Sequence, residues 1–251
     1  MAKIMRLSLS WKLIIGCVLT LLVTMSVTFY LISLRQERLI VRQAENEART
    51  IFRQIIITRK WVADHGGVYV EKQAVPWARP NLLVPNPEIV DRQDRRYLLQ
   101  TPAMVTKALA DYAKEEETYW FHITSLNPVN PANRPDDLER EALQAFAEDE
   151  ELTEFLAMET IRRDTYLRYI SPLYAEPVCL PCHQNYQVND VRGAISVTLP
   201  LSETLAEAAW NRRLLFATMA MVVLILSGAL MLMIRRLVLT PMQTLATAMQ
   251  R

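Results

Sequence analysis

The chain has 251 residues, 51% of them hydrophobic, with a formal net charge of +1. A balance this close to neutrality, with no basic aromatic patch, argues against nucleic acid as a partner, and no glycine-rich phosphate loop is present. The acidic runs Asp111 to Glu117 and Glu148 to Glu154 read as solvated helix faces, so no hydrolase or transferase site is expected and the chain is read as a non-enzyme.

Residues 1–12 carry Lys3, Arg6 and Lys12 and precede an uncharged apolar run from Leu13 to Leu34. A run of about 20 residues is about 30 Å long as a helix and matches the hydrocarbon thickness of a bilayer. It lacks a small-x-small cleavage site at its end, so it reads as an uncleaved anchor and not a signal peptide. The three basic residues place residues 1–12 in the cytoplasm. A second span runs from Leu214 to Ile234 and is followed by Arg235 and Arg236. The expectation is a two-pass protein of a bacterial inner membrane, with residues 35–210 in the periplasm.

Between the spans, Leu39, Ile40, Ala44, Ala48, Ile51 and Ile55 recur at helical spacing among charges, predicting a helix from Arg35 to Trp61. Pro76, Pro80, Pro85, Pro87 and Pro102 exclude a long helix between Trp77 and Thr101. Thr101-Pro102 then opens a helix over Ala103 to Glu116, with Thr101 as its cap. Tyr119 to Leu126 alternates as a strand, with Trp120, His122 and Thr124 on one face. Asn127 to Pro135 is a connection, and Asp136 to Glu151 a helix with Asp136 or Asp137 near its start. Thr165 to Ile170 and Gly193 to Leu199 form a second strand pair, ended by Pro200, and Leu201 to Trp210 leads helically into the second span. These elements describe an α+β domain between two transmembrane helices. In residues 235–251, Leu237, Met242, Leu245 and Met249 fall near heptad spacing after the span, a pattern suited to the first helix of a HAMP-like coiled-coil relay.

The chemistry of the chain is concentrated in Cys179-Leu180-Pro181-Cys182-His183, between the last two strands. Two thiols three positions apart can add across the vinyl groups of one porphyrin, and the following His can take the iron as proximal ligand. The motif therefore predicts one covalent haem c, with Cys179, Cys182 and His183 as its attachment and ligand residues. Competing uses of the same residues are a zinc knuckle, a thiol–disulfide redox pair and a structural disulfide. Zinc takes about four ligands, and Cys17, the remaining cysteine, lies in the first apolar run. A redox pair has no need of the His.

Several stretches together carry a family resemblance. They are Trp61 to Val70, Thr101-Pro102-Ala103-Met104, His122 to Pro128, Asn130-Pro131-Ala132-Asn133, the Cys179–His183 motif, and Gly193 to Val197. In this order, over nearly all of residues 35 to 205, the chain resembles the periplasmic c-haem PAS-like sensor domain found at the front of bacterial histidine kinases and chemoreceptors, or alone. Val62 and Thr101 depart from the Asn residues common there. The resemblance implies a PAS-like antiparallel sheet with flanking helices, and it makes Met104 the leading candidate for a distal haem ligand. His122 is a weaker distal candidate, since a lone strand His is more often a hydrogen-bonded core or surface residue, and His65 is weaker still. Gly66-Gly67 suits a tight turn or a close backbone approach.

Two functions follow as expectations. In the first, a haem sensor passes a redox or small-ligand change across the membrane to a cytoplasmic partner, a histidine kinase or chemoreceptor output, as a homodimer. In the second, a membrane-anchored c-type cytochrome exchanges electrons with a periplasmic redox partner.

Overall fold

The computed structural model describes residues 9–75, 86–128, 130–177, 180 and 186–241. Pro76, Trp77, Pro80 and Pro85, the three motif residues Cys179, Cys182 and His183, and the tail residues Met242, Leu245 and Met249 lie outside that set. The chain divides into two compact units, one made of residues 1–40 and 203–251, the other of residues 41–202.

Unit two is an α+β domain. Its larger sheet has four antiparallel strands, β4 (Trp120–Thr124), β7 (Val191–Pro200), β6 (Asp164–Tyr174) and β5 (Phe155–Ile161), in the order β4-β7-β6-β5. Pairing places His122 beside Ser196, and Ser196 beside Ile170. The same register sets Arg168 against Thr198. Because alternate residues share a face, Trp120, His122, Thr198, Ser196, Arg168 and Ile170 lie on one side of the sheet. Helix α3 (Asp137–Glu148) packs on that side, with Ala142, Leu143 and Phe146 against Ile170 and Ala194. The opposite side carries Phe121, Val197, Leu167 and Tyr169, all buried. There the ring of Phe52, from helix α1 (Leu9–Asp64), meets Tyr169 edge-on at 5.8 Å, and Arg49 binds Glu154 through two bonds of 2.9 and 2.8 Å. Of the apolar stripe on α1, Ala44, Ala48 and Ile55 are buried while Leu39 is exposed.

The proline-rich middle contains a second sheet. Strands β1 (Val68–Glu71), β2 (Glu88–Val90) and β3 (Arg96–Gln100) pair antiparallel in the order β1-β3-β2. The β2–β3 turn is built on Asp91, whose carboxylate accepts from the Gln93 and Arg95 amides at 2.8 and 2.9 Å. A side chain that mimics a backbone turn needs no Gly or Pro, and the markers of this hairpin are Asp91 and Asp94 themselves, the latter in the left-handed region at φ 59°. Strand β5 was also missed. It joins β6 through Arg162, which takes a left-handed φ of 62°, where an Asn-Gly pair would have announced a hairpin.

Two end-of-helix expectations had different outcomes. Helix α2 (Pro102–Glu115) begins with Thr101 at its cap position, but the Thr101 hydroxyl makes no capping bond. The first turn is instead held by Thr106 Oγ1, which donates to the Pro102 carbonyl at 2.6 Å and accepts from Arg59 at 2.9 Å. Gly66-Gly67 meets both roles foreseen for it. The Gly67 amide reaches back to Val62 O and the Gly66 amide to Ala63 O, with Gly66 at φ 70°, which is the Schellman closure of a helix. A Cβ on Gly67 would lie 2.7 Å from Leu99 Cδ1.

Gly193 is required by a closer approach. A Cβ there would strike the carbonyl oxygen of Thr124 on the neighbouring strand β4. Since backbone cannot yield as a side-chain tip can, Gly193→Ala is expected to cost about 1–3 kcal/mol. A denaturant titration with a lowered midpoint and unchanged slope is the expected reading.

Unit one contains the parts of α1 and of α4 (Ser202–Ile234) that are long and apolar enough to cross a membrane. Phe29 and Phe216 pack at 5.2 Å between ring centroids. Thr20, Thr24 and Thr28 each return their hydroxyl to the carbonyl four residues earlier, at 2.9 Å, which satisfies a donor without water. After α4, Arg235–Leu239 forms a π-helical turn.

Candidate functional site

The Cys179–His183 motif lies between β6 and β7, in residues 175–190. Its described flanks form a closed stem. The Ala175 amide donates to Asp190 O at 2.8 Å and the Asn189 amide to Ala175 O at 2.9 Å, with Ala175 itself buried. Asp190 adds a further tie, accepting from the Gln187 amide at 2.6 Å. Next to the stem, Ser125 Oγ donates to Arg192 O at 2.8 Å and so joins the end of β4 to the start of β7. The loop is thus held at its root by backbone bonds that do not depend on the identity of the motif residues.

At this sheet end the described apolar side chains are packed within the domain, Ala194 against α3. Ala175, Ala194 and Leu173 are buried there. Thr124, paired with Ala194, buries a hydroxyl with no hydrogen-bond partner among the described residues. In the three-stranded sheet, Gln100 at the end of β3 also buries an amide nitrogen with no partner among the described residues. A buried polar atom left unpaired costs about 1–3 kcal/mol, so both are groups for which a bound partner would be favourable. With two thiols and an imidazole on the loop, the donor set fits a covalent haem.

The described candidates for a distal ligand are separately placed. Met104 is half-buried in the first turn of α2, two residues after Pro102. His65 is exposed, its ring tilted by 31° against Trp61 at 4.4 Å between centroids, with Nδ1 on Trp61 O at 2.7 Å. His122 has both ring nitrogens engaged. Nδ1 lies 2.9 Å from Glu139 Oε2 and Nε2 lies 3.0 Å from Ala132 O. Both partners are acceptors, so pairing both nitrogens requires the doubly protonated ring, a form with no lone pair for a metal.

His122 belongs to a charge cluster on the α3 side of the sheet. Glu139 is 2% exposed at its side chain, and Arg168 7%. The Arg168 guanidinium reaches Glu139 at 3.1 Å, Asp136 at 2.9 Å, Glu159 at 3.1 Å and Ser196 Oγ at 2.9 Å. Glu139 also closes the capping box of α3, accepting from the Asp136 amide while Asp136 accepts from the Glu139 amide. The hydrogen bond that His122 donates to Glu139 holds the His122 pKa above the usual imidazole value, against the opposing effect of burial. Asp136 is partly desolvated, yet its bonds to the Glu139 amide and Arg168 keep its carboxyl below the usual range.

The model of the Tll0287-like family matches residues 35–200. The chain belongs to the Tll0287-like family. That match covers the whole α+β domain, including the motif loop and the charge cluster, and stops short of α4. Among solved structures, the cyanobacterial heme-protein Tll0287 is similar to this chain, with 17% identity, a TM-score of 0.44, and coverage of 63% of this chain and 95% of that one. No curated protein matches.

The cluster is what the sequence reading missed. Asp136 and Glu139 stand at the spacing of a capping box, a signal for a helix start but not for burial. Arg168 lies within an apolar alternating strand, the one pattern that marked it as unusual.

Proposed function

We propose that this chain is a membrane-anchored haem sensor, with one haem c held through Cys179, Cys182 and His183 in a PAS-like domain outside the cytoplasm. The motif carries the reading, and membership of the Tll0287-like family, together with the closed stem that presents the loop, supports it. When bound, the haem supplies an iron whose redox or ligation state can change. The two thiols would attach it, the His183 imidazole would ligate its iron, and the Met104 thioether would be available as a second protein ligand. Met104 is favoured over His122 because both nitrogens of that ring are already committed.

A sensor also needs a route outward, and β7 supports one. It starts at the loop stem and ends at Pro200, one residue before α4 begins. That junction is tied down, since the Leu201 amide donates to Thr165 O at 2.8 Å and the Thr165 amide to Ser202 Oγ at 2.7 Å. These bonds tie the residues just before α4 to β6, and they support β7 as the route along which the proposed displacement would travel. Beyond α4, a HAMP-like coiled coil in a homodimer would deliver the signal to a kinase or chemoreceptor output in the cytoplasm. Electron transfer is the competing use of the motif, and it has no need of this junction.

The test is the full chain produced where cytochrome maturation is active, then compared in ferric and ferrous forms. A covalent haem and different hydrogen exchange over residues 191–205 in the two forms are expected. Identical exchange, with fast electron transfer to a partner cytochrome, would leave the electron carrier as the better reading. For the sixth ligand, Met104→Ala is expected to convert the iron from low to high spin by resonance Raman, whereas His122→Gln leaves the spin state unchanged.

A further inference from the structure

The connection between β4 and α3 is held by an imidazole that is facing two acceptors, and this arrangement has a consequence independent of any haem. We propose that His122 is a proton-controlled latch, which in its doubly protonated form clamps the Pro131–Asn133 turn and in its neutral form lets that turn go.

The turn is a single 3-10 segment, Pro131–Asn133, held within itself by the Asn133 amide on Asn130 O at 2.9 Å and the Ala132 amide on Asn130 Oδ1 at 3.0 Å. Its described links to the sheet are two. His122 Nε2 donates to Ala132 O at 3.0 Å, and the Ser125 amide donates to Asn133 O at 3.1 Å. A neutral ring has one N–H for two acceptors. The charge-assisted bond to the Glu139 carboxylate is the stronger, so the remaining proton stays on Nδ1. Nε2 then points a lone pair at the Ala132 carbonyl oxygen, and an attraction becomes a repulsion. What remains is the Ser125 link, and Ser125 is the residue whose hydroxyl holds Arg192 at the root of the motif loop. Release by His122 thus leaves the turn attached to the sheet through the Ser125 amide alone.

The groups around the ring set which form prevails. Glu139 and Asp136 face it from α3, Arg168 from β6 joins both, and Glu159 from β5 joins Arg168, so three carboxylates surround one guanidinium. That excess of negative charge favours the imidazolium. Ser196, from β7, contributes a neutral hydroxyl to Arg168. The His122 side chain is 36% exposed, so its proton exchanges with solvent and is not trapped.

The experiment is hydrogen exchange and imidazole NMR on the full chain in a membrane mimetic, from pH about 5 to about 9, across the range in which a perturbed imidazole titrates. As pH rises through the His122 titration, protection of the Ala132, Asn133 and Arg134 amides, corrected for intrinsic rates, is expected to fall by about tenfold or more. His122→Gln should show low protection at every pH, and Glu139→Gln should move the midpoint to lower pH. Protection that ignores pH in the native chain, or the same pH response in His122→Gln, would overturn the latch. A midpoint unmoved in Glu139→Gln would do so as well. Because these readouts need no haem, their failure is separable from failure of the sensor reading.

Discussion

Replacing Cys179 and Cys182 together with serine is expected to abolish covalent haem while leaving the β6–β7 sheet in place. A thioether requires a thiol, and serine oxygen does not add across the vinyl groups under the conditions in which cytochrome maturation acts. The pyridine haemochrome absorbance of the denatured chain should fall to background, and its mass should equal that of the polypeptide. The fold is expected to survive because the stem is closed by backbone bonds between Ala175 and Asn189 and Asp190, which no motif side chain makes. Far-UV circular dichroism should therefore be unchanged. Thermal stability should nonetheless drop, since a group bound only by the native state stabilises that state. His183→Ala separates attachment from ligation, as it should keep the covalent haem and change its spin state. If the double serine variant retained a haem adduct, the motif would not be the attachment site and the proposed function would fail with it.

Glu139→Ala is expected to be the most destabilising single change in the domain, at about 3–5 kcal/mol. One carboxylate serves Arg168, His122 and the Asp136 amide, and its side chain is 2% exposed. Truncation leaves a buried guanidinium that has lost its most buried partner, an imidazole N–H without its acceptor, and an Asp136 amide without the carboxylate that closes the capping box of α3. Against a total stability of about 5–15 kcal/mol, this loss is large. Glu148→Ala, on the exposed face of the same helix, should change stability by no more than about 0.5 kcal/mol. Urea titrations of the three proteins at one pH make the comparison.

The same cluster gives stability a pH dependence of definite sign. His122 has a folded pKa raised above its unfolded value, so its stabilising contribution is complete below the unfolded value and disappears as pH rises through the folded one. Asp136 is depressed, so its contribution is present above its unfolded value and is lost as pH falls through the folded one. Stability should accordingly pass through a maximum on the acid side of neutrality, between the two titrations. In Glu139→Ala the basic limb should flatten, because the group that raises the His122 pKa is gone.

What was legible in the chain was whatever depends on neighbours in sequence. The two apolar runs, the amphipathic stretch after the first, helix α2, helix α3, strand β4 and the antiparallel pair β6 and β7 all announce themselves by period or by length. The helices α1 and α4 proved longer than the segments read for them, since a span and the amphipathic helix beside it have no breaker between them. The Schellman turn at Gly66-Gly67 was readable because its requirement, a left-handed φ followed by a close backbone approach, leaves a residue signature. Strands β1, β2, β3 and β5 were not: the first three are only three to five residues long in a proline-rich stretch, and the β5–β6 turn rests on a left-handed arginine, which is not a conventional marker. Above all, no local pattern could join His122 to Glu139, 17 residues on, or Glu139 to Arg168, 29 residues further. The haem chemistry proposed for this chain would be encoded in five consecutive residues, because attachment and ligation would both fall within one loop. The buried charge cluster comes into being when a helix start is laid on a sheet face, since burial and pairing of charges are properties of packing and have no period in the chain.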